Sequence, residues 1–351
     1  MKTKLIPILL AALTAFSCGK DNIDVPTPSF AKGADVSWLS EMENDGKTFK
    51  KKDGTQANCF EVLKDCGVNA IRLRVWVNPT GGWSGKDDVT ALAERAAKAG
   101  MALMVDFHYS DFFADPGTQT VPKAWEGDKG DIDKMCAHVS EHTKDVLNAI
   151  KAKGVTPAWI QIGNETRNGM LWPLGQLWGS GAGGWANFGK LYKAGYDAAK
   201  SIFPSAKVMP HLNNAYDDND WWFRELKKYA SFDMIALSHY PQAESKMTPA
   251  EYNSSSVNQI KRLHSNYGVP VMVSEVGVKT PDNEAQAAQV LEEFMTAIKA
   301  VDGCAGAFYW EPEVYDWWKP AVYKTLGWGA YGMGAFLSGG RPSKVIDALT
   351  Q

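Results

Sequence analysis

The sequence has few of the residues that form disulfides or bind soft metals. Its 351 residues include 5 cysteines and 6 histidines, and none of these is arranged as Cys-x-x-Cys or His-x-His. No zinc site is therefore predicted. Cys59 and Cys66 lie in one helical pattern with their Cα atoms about 10 Å apart along the axis, which is too far for a bridge. We expect Cys59, Cys66, Cys136 and Cys304 to be free, buried thiols.

The chain also lacks an excess of positive charge and has only one long apolar run. A formal net charge of −3, with 45% hydrophobic and 22% charged residues, describes a soluble globular protein and excludes nucleic acid as a partner. The apolar run covers residues 5–16, after Met1-Lys2-Thr3-Lys4 and before Ser17-Cys18-Gly19. A basic start, a short apolar stretch and small residues at its end predict a secretory signal peptide, which is too short to span a bilayer.

The cysteine at the end of this run adds a second prediction. Ala15-Phe16-Ser17-Cys18 resembles a loose bacterial lipobox, which implies a signal peptide at 1–17 and acylation of Cys18. The protein would then be an exported lipoprotein, anchored to a membrane and displayed at the cell surface. An ordinary cleaved signal with an incidental cysteine is the alternative. Residues 18–31, with two prolines and no periodicity, are predicted to be the lipidated cysteine and a flexible tether, followed by one domain at 32–351.

Within that domain, short apolar strands alternate with amphipathic helices. The predicted strands are 33–37, 69–76, 101–108, 157–163, 206–211, 233–239, 269–274 and 305–310, and the predicted helices are 57–65, 90–99, 132–153, 185–202, 221–229, 248–267 and 284–300. Eight strands joined by helical crossovers predict an α/β fold, a single-domain (β/α)8 TIM barrel. A doubly wound sheet is the competitor, but no Gly-x-Gly-x-x-Gly follows the first strand.

Two glutamates, each at the end of an apolar strand, are the most informative feature. Glu165 closes the run that starts at Ala158, and Glu275 closes the run that starts at Val269. A strand that ends in a carboxylate places it at the C-terminal face of a barrel, where such enzymes build their sites. Either glutamate alone could cap the next helix. The pair, with Asn164 beside Glu165, favours the two carboxyl groups that glycoside hydrolysis requires.

Other predicted strands also end in polar or aromatic residues. A satisfied structural role could explain one of them but not the whole set, and the 14 tryptophans and 12 tyrosines are more than a core needs. Aromatic faces stack well on sugars. The strand-end groups are Arg72-Leu73-Arg74-Val75-Trp76, Asp106-Phe107-His108-Tyr109-Ser110-Asp111, His211 with Asn213, His239-Tyr240 and Tyr309-Trp310-Glu311.

These blocks resemble a known group, the retaining (β/α)8 glycoside hydrolases, and within it glycoside hydrolase family 53, the endo-β-1,4-galactanases. The resemblance extends from Lys32 to about Leu349. One loop departs from it, because Trp328-Gly329-Ala330-Tyr331 stands where members often carry Trp-Glu-Asn-Gln. The blocks that carry the resemblance are Gly33-Ala34-Asp35-Val36-Ser37, residues 71–79, residues 106–111 with Asp115-Pro116, Pro122-Lys123-Ala124-Trp125, residues 161–165 and Ser238-His239-Tyr240.

The resemblance implies retaining endo-hydrolysis of β-1,4-galactan, a side chain of pectin, by two glutamates. Glu165 would be the general acid/base and Glu275 the nucleophile, kept ionised by Arg74 and the Tyr240 hydroxyl. Asn164 would bind the 2-hydroxyl of the cleaved sugar. The remaining expected residues are the supporting His108 and His239 and the substrate-binding Asp111, Trp76, Trp83, Trp125, Asn213 and Trp310, with a core role as the alternative for each tryptophan.

No cofactor is expected for catalysis, but the resemblance implies a candidate site for a structural calcium ion, which several bacterial members bind in the loops after strands seven and eight. Asp282, Asn283 and Asp302 are its candidate ligands, with a helix start as the other interpretation of Asp282-Asn283. The expected partners are galactan and, through the lipid, a membrane, with the protein itself a monomer. A mannanase- or cellulase-like endoglycanase and a non-catalytic glycan-binding lipoprotein are the alternative functions. Retention of both glutamates disfavours the second.

Overall fold

The computed structural model describes residues 22–241, 246–279 and 283–351. The predicted signal peptide at 1–17 and Cys18 lie outside these residues. Eight parallel strand positions form a barrel, which confirms the predicted (β/α)8 fold. They are β1 Ala31–Asp35, β2 Ala70–Val75, β3 Ala102–Phe107, β4 Trp159–Ile162, β5 Lys207–Met209 with His211–Leu212, β6 Ile235–His239, β7 Val271–Val276 and β8 Cys304–Trp310.

Helices surround the barrel and connect its strands. They are α1 Leu39–Asn44, α2 Cys59–Asp65, α3 Lys86–Lys98, α4 Ile132–Ala152, α5 Gly184–Ile202, α6 Asp220–Leu226, α7 Pro249–Tyr267, α8 Glu284–Lys299, α9 Ala321–Leu326 and α10 Lys344–Leu349, with a 3₁₀ helix at Lys123–Asp128. Helix α7 shows how local sequence sets its limits. Thr248 and Glu251 form a reciprocal capping box at its start, and Gly268 ends it with a φ of 66°.

The fifth strand position closes the barrel in two pieces, because Pro210 interrupts it. Lys207–Met209 pairs with β4, whereas His211–Leu212 pairs with β6. Proline has no N–H to donate, but its carbonyl oxygen accepts from the Ala236 N–H at 3.0 Å. The two pieces therefore join neighbours on opposite sides, and the ring is completed around them.

Side chains alternate between the barrel interior and the layer under the helices, as the two-residue period of a strand requires. On β2, Ala70 lies in the interior cluster, while Ile71, Leu73 and Val75 pack in the outer core. Arg72 and Arg74 share the inward parity of Ala70. The lower interior is filled by apolar residues, namely Ala31, Ala70, Ala102, Met104, Trp159, Met209, Met234, Ala236, Met272 and Phe308. Inward-facing polar residues therefore gather at the upper, C-terminal end.

The segment before β1 is packed rather than free. Ile23 forms a parallel bridge to Val155, and its N–H donates to the Gly154 carbonyl at 2.8 Å. Val25 and Phe30 pack against the core. Residues 22–31 of the predicted tether therefore include apolar side chains that pack, partly buried, against the barrel.

The cysteine prediction holds in part. Cys59, Cys66, Cys136 and Cys304 are all free, but only Cys59 and Cys304 are buried, and the other two are half-buried at helix surfaces. Within residues 22–241, 246–279 and 283–351, no helix combines the length and the apolar character needed to cross a bilayer.

Candidate active site

Glu165 and Glu275 line one cleft at the C-terminal face of the barrel. Glu165 lies three residues beyond the end of β4, and Glu275 is the penultimate residue of β7. The cleft thus contains both carboxyl groups that the strand-ending pattern predicted. Its wall also contains Arg72, Arg74, His108, Phe113, Ala114, Asp115, Asn164, Tyr240, Trp310, Trp328, Tyr331 and Met333.

A tight turn after β4 brings Glu165 into the cleft. Gly163 has a φ of 79°, and a Cβ there would lie 2.6 Å from Cγ2 of Thr166. Glycine is therefore required at this position. Glu165 itself has a φ of 47°, a left-handed conformation that is unusual for a side chain of its size. Backbone strain at a residue that lines a cleft is typical of a functional position.

Arg72 connects four strands from the middle of the barrel. It is buried, and its Nη1 donates to Oδ2 of Asp35 at 2.6 Å. Its Nη2 lies 2.7 Å from Oδ2 of Asp106 and 2.8 Å from Oε1 of Glu275. The same nitrogen lies 3.0 Å from Oδ1 of Asn164. The positive charge of this buried guanidinium is compensated by carboxylates that are themselves buried, although its Nε has no hydrogen-bond partner among the described residues.

Arg74 does not have the contact expected of it. Its Nη1 donates to Oε1 of Glu311 at 3.1 Å, and its guanidinium lies 4.0 Å from the ring centroid of Trp38. The prediction that Arg74 pairs with Glu275 was therefore wrong, and Arg72 forms that pair. Both arginines point inward, but Arg72 lies one side-chain layer deeper, where the guanidinium can extend across to β7.

Glu275 has two partners that favour its ionised form. Arg72 binds Oε1, and the Tyr240 hydroxyl donates to Oε2 at 2.7 Å, as predicted for the tyrosine. Burial raises the pKa of Glu275 from its ordinary value, while the charge of Arg72 and the Tyr240 hydrogen bond oppose that rise. The carboxylate is therefore desolvated and oriented, with charge compensation on one side.

Glu165 has a different environment. Its Oε1 accepts one hydrogen bond, from the Ser238 hydroxyl at 2.6 Å. Burial, together with the nearby charge of Glu275, raises the pKa of Glu165 to about 8. A carboxyl group of this kind is protonated at neutral pH. The two carboxyl groups of the cleft thus differ in the way that separates a proton donor from a nucleophile.

Asn164 lies at the junction of the two carboxyl environments. Its Oδ1 accepts from Arg72, and its Nδ2 donates to the Ala114 carbonyl at 2.8 Å. His211, from the second piece of β5, lies with Nδ1 3.0 Å from the same Oδ1. These contacts orient the amide beside Glu165, which is the placement that its predicted role needs.

The two predicted histidines have different locations. His108 lines the cleft, with Nε2 2.9 Å from Oδ2 of Asp106. His239 faces the helix layer, where Nε2 contacts Asn253 at 2.7 Å, Nδ1 contacts Ser256 at 2.9 Å and the ring stacks on Phe294. Burial lowers the pKa of His239 to about 4. The supporting role predicted for His239 was therefore wrong, because its strand parity points it away from the cleft.

The predicted substrate-binding residues divide into three groups. Trp310 lines the cleft. Trp76, Trp83 and Asp111 line a second cavity beside it, although Trp76 itself is buried and its indole N–H points at His108 Nδ1, 3.4 Å away. Trp125 lies outside both cavities.

Two of the predicted substrate-binding residues have other partners in the structure. Trp125 is buried and stacks on His138 of α4, with ring centroids 5.3 Å apart, so it belongs to the core. Asn213 Oδ1 accepts from Nε of Arg167 at 3.0 Å and lies outside the wall of the cleft. Both residues follow motifs that resemble the family, but neither side chain extends to the carboxyl pair.

Sequence reasoning noticed several further residues of the site but assigned no role to them. Ser238 contacts Glu165, and His211 contacts Ser238, with its Nε2 2.8 Å from the hydroxyl oxygen. Alternation along β6 could have identified Ser238, since it shares the parity of Ala236, whereas His239 shares that of Leu237. Trp328 and Tyr331 line the cleft from the loop that departs from the family pattern.

The two calcium candidates that the structure describes, Asn283 and Asp302, do not come together. Asn283 is the N-cap of α8 and accepts from the Gln286 N–H at 3.1 Å, whereas Asp302 follows the other end of that helix. A 16-residue helix is about 24 Å long, so the two cannot share an ion. Asp282 lies outside the described residues. Among those that are described, no group of three or more His, Cys, Asp or Glu side chains is arranged to hold a metal ion.

Comparison with known proteins agrees with this geometry. The family profile described as Glycosyl hydrolase family 53 matches residues 31–350, which is nearly the whole described chain. The chain belongs to glycosyl hydrolase family 53. It is therefore a glycoside hydrolase, and the family resemblance predicted from the sequence blocks is confirmed.

Individual members of family 53 are similar over most of their length. The arabinogalactan endo-beta-1,4-galactanase of Thermothelomyces thermophilus is 32% identical over 303 residues, covering 80% of this chain and 89% of the relative. A structure from a study of two fungal beta-1,4-galactanases has a TM-score of 0.79 at 27% identity, covering 91% of this chain and 98% of the other. The Ignisphaera aggregans GH53 catalytic domain has a TM-score of 0.78 at 27% identity, covering 92% and 97%.

Proposed function

We propose that the protein hydrolyses internal glycosidic bonds of β-1,4-galactan, with retention of configuration at the anomeric carbon. The observation that carries this proposal is the unequal pair of carboxyl groups in one cleft of a family 53 chain. Glu165 has a pKa raised to about 8, whereas Glu275 is ion-paired with Arg72 and accepts from Tyr240. A retaining glycosidase needs one carboxyl group to protonate and another to attack.

In the first step, the Glu275 carboxylate attacks the anomeric carbon of the sugar. The bond from that carbon to the glycosidic oxygen breaks, and Glu165 transfers its proton to the departing oxygen. The first step yields a covalent intermediate, which is a glycosyl ester of Glu275, and releases a shortened galactan chain. In the second step, ionised Glu165 removes a proton from water, which displaces Glu275 and releases the sugar with its original configuration.

Asn164 is positioned to assist both steps. Its amide donates one N–H to the Ala114 carbonyl, and we assign the other to the 2-hydroxyl of the sugar at the cleaved bond. Positive charge that develops on the ring in the transition state makes that hydroxyl a stronger donor, so its own hydrogen binds the Glu275 carboxylate more tightly while Asn164 holds its oxygen in place. Trp310, whose ring meets Tyr331 at 4.9 Å between centroids, provides an aromatic surface for the same sugar.

Galactan is the substrate that the relatives' names and the shape of the polymer favour. Galactose differs from glucose in an axial 4-hydroxyl, so a β-1,4-galactan chain curves where cellulose runs flat. A cleft built for one shape leaves polar groups unpaired against the other, at a cost of about 1–3 kcal/mol for each such group. Two or three such losses make discrimination large.

The test is incubation with galactan, mannan and cellulose, with the products separated by chromatography. We expect short β-1,4-galacto-oligosaccharides from mid-chain cleavage and little action on the other two polymers. NMR of the first product should show the β-anomer. Retention also requires the carboxyl groups of Glu165 and Glu275 to lie about 5–5.5 Å apart. Comparable rates on mannan or cellulose would reject the galactanase assignment, and an α-anomer would reject retention. Glu275→Ala is the matched inactive control.

We further propose that the enzyme is an exported lipoprotein, acylated at Cys18 and held at the bacterial cell surface. The lipobox-like segment at residues 15–18 supports this location. A surface enzyme would act where a polymer too large to enter the cell is available. Because Ile23 is already packed against the barrel, only the few residues before it would separate the domain from the lipid.

A further inference from the structure

Ser238 and His211 form a hydrogen-bonded chain that ends on one oxygen of Glu165. His211 Nε2 lies 2.8 Å from Oγ of Ser238, and that hydroxyl donates to Oε1 of Glu165 at 2.6 Å. Both residues are fully buried, and they come from neighbouring strands, β5 and β6. The direction of the chain depends on which nitrogen of His211 has the proton.

The surroundings of His211 Nδ1 make it an acceptor. The backbone N–H of Glu165 points at it from 3.3 Å, and Nε2 of Gln161 lies 3.0 Å away. Gln161 is oriented by donating to Oδ1 of Asp106, so its nitrogen side faces the ring. Asn164 Oδ1 is also close to Nδ1, but it already accepts from Arg72 and needs no proton from the histidine.

With Nδ1 accepting, the proton of a neutral His211 is on Nε2. Burial and the charge of Arg72 hold the pKa of His211 well below its usual range, despite Asp106, and His108 acts in the same direction as Arg72. Nε2–H then donates to Oγ of Ser238, whose own hydrogen binds Glu165 Oε1. The serine is therefore a donor to Oε1 whether or not Glu165 is ionised.

We propose that Ser238, oriented by His211, is a positioning residue that places the catalytic proton of Glu165 on Oε2. Oε1 accepts a short hydrogen bond from Ser238. A proton placed on Oε1 would lie against the serine hydrogen, so Oε1 is a poor site for the catalytic proton. Oε2 has no hydrogen-bonding partner in the part of the chain that the structure describes, and Glu165 is half-buried on the wall of the cleft. The proton thus stays on the oxygen that is free to meet the leaving group.

The proposal rests on the acid/base role proposed for Glu165 and makes that role specific to one oxygen. The other groups that act on Glu165 are Glu275 and Asp115, which raise its pKa, Arg72, which lowers it, and the Tyr240 hydroxyl. Ser238 favours the ionised form of Glu165, so removing its hydroxyl favours the protonated form. The alkaline limb of activity should then move to higher pH.

Ser238→Ala in the full chain is the first test, measured as kcat/KM against pH on galactan and on an aryl β-1,4-galactobioside. We expect the pKa of the alkaline limb to increase by about half a unit to one unit, which corresponds to the loss of one hydrogen bond. Cleavage of polymer should fall about three- to tenfold, with a smaller loss on the aryl substrate, whose leaving group needs little protonation. Ser238→Thr keeps the hydroxyl and should restore both the limb and the rate.

Ser256→Ala is the matched control. It removes another buried Ser–His hydrogen bond, to His239, which contacts neither carboxyl group, and it should leave the limb in place. An unshifted limb in Ser238→Ala, or an equal shift in Ser256→Ala, would overturn the proposal.

A second measurement needs no turnover and so separates this inference from the proposed function. Nitrogen NMR of labelled wild-type protein should show His211 as the Nε2–H tautomer on both sides of the pH at which Glu165 titrates. A proton on Nδ1 would reverse the chain and refute the proposal, even if the enzyme is a galactanase. Conversely, undiminished polymer cleavage by Glu165→Ala would refute the acid/base role while leaving the tautomer result intact.

Discussion

Arg72 Nη2 lies 2.8 Å from Oε1 of Glu275, and this ion pair joins β2 to β7 across the centre of the barrel. Arg74, two residues further along the same strand, pairs instead with Glu311. Of these two similar arginines, only Arg72 therefore compensates the charge of Glu275, the proposed nucleophile.

That assignment can be tested with Arg72→Lys, which keeps the charge but cannot bind three carboxylates at once. Arg72 lowers the pKa of Glu275, so weakening the ion pair should raise that pKa. A smaller fraction of Glu275 will then be ionised at low pH. The acid limb of kcat/KM should move up by about one unit. Arg74→Lys, an equally buried change on the same strand, should not move it. Equal shifts in the two variants would contradict the assignment.

The raised pKa of Glu165 predicts the other side of the pH profile. A proton donor with a pKa of about 8 is protonated below that pH and ionised above it. Activity on galactan should therefore decline above about pH 8, with the measured midpoint belonging to the coupled pair of carboxyl groups rather than to one residue. The measurement is kcat/KM against pH with folding monitored by circular dichroism. A decline that coincides with unfolding would not come from Glu165.

Removal of each glutamate should have distinct effects. Glu275→Ala should abolish turnover of every substrate. Added azide should restore turnover by the variant, because azide replaces the missing nucleophile. Glu165→Ala should lower cleavage of polymer by about 10²–10⁴-fold, since protonation of a sugar oxygen is lost, and should spare the glycosylation step on an aryl substrate. Steady-state rates on galactan and an aryl galactobioside measure this. Equal losses on both substrates would argue against Glu165 as the proton donor.

Two of the predicted sugar-stacking tryptophans should behave differently. Trp125 is 6% exposed and stacked on His138, so Trp125→Ala should lower the free energy of unfolding by about 3–5 kcal/mol and leave KM unchanged. Trp83 lines the cavity beside the cleft, and Trp83→Ala should raise KM for polymer with a smaller loss of stability. Chemical denaturation and initial rates distinguish the two. A KM effect confined to Trp125→Ala would reverse this interpretation.

Anchoring is tested with the natural leader in place. The wild-type protein should partition with membranes, and Cys18→Ala should release it or leave the leader uncleaved. Mass spectrometry of the mature N-terminus should find lipid on Cys18. Soluble wild-type protein without lipid would refute the lipoprotein proposal. A domain that still begins its packed structure at Ile23 is expected in either case.

The amino-acid sequence by itself determined the barrel and its carboxyl pair. Each predicted strand position is occupied in the structure, because short apolar runs with a two-residue period leave little choice of element. A glutamate at the end of such a run, as at Glu165 and Glu275, reaches the upper face of the barrel by strand direction alone. Family membership followed from local blocks, which are continuous in sequence.

Only the tertiary structure decided which neighbours those glutamates have. Arg72 and Arg74 have the same inward parity, and the depth of the layer across the barrel selects Arg72 for Glu275. Ser238 and His239 are adjacent in sequence, but opposite parity sends Ser238 to Glu165 and His239 to the helices. These contacts join residues far apart in the chain, up to 203 positions for Arg72 and Glu275, so local sequence patterns cannot specify them.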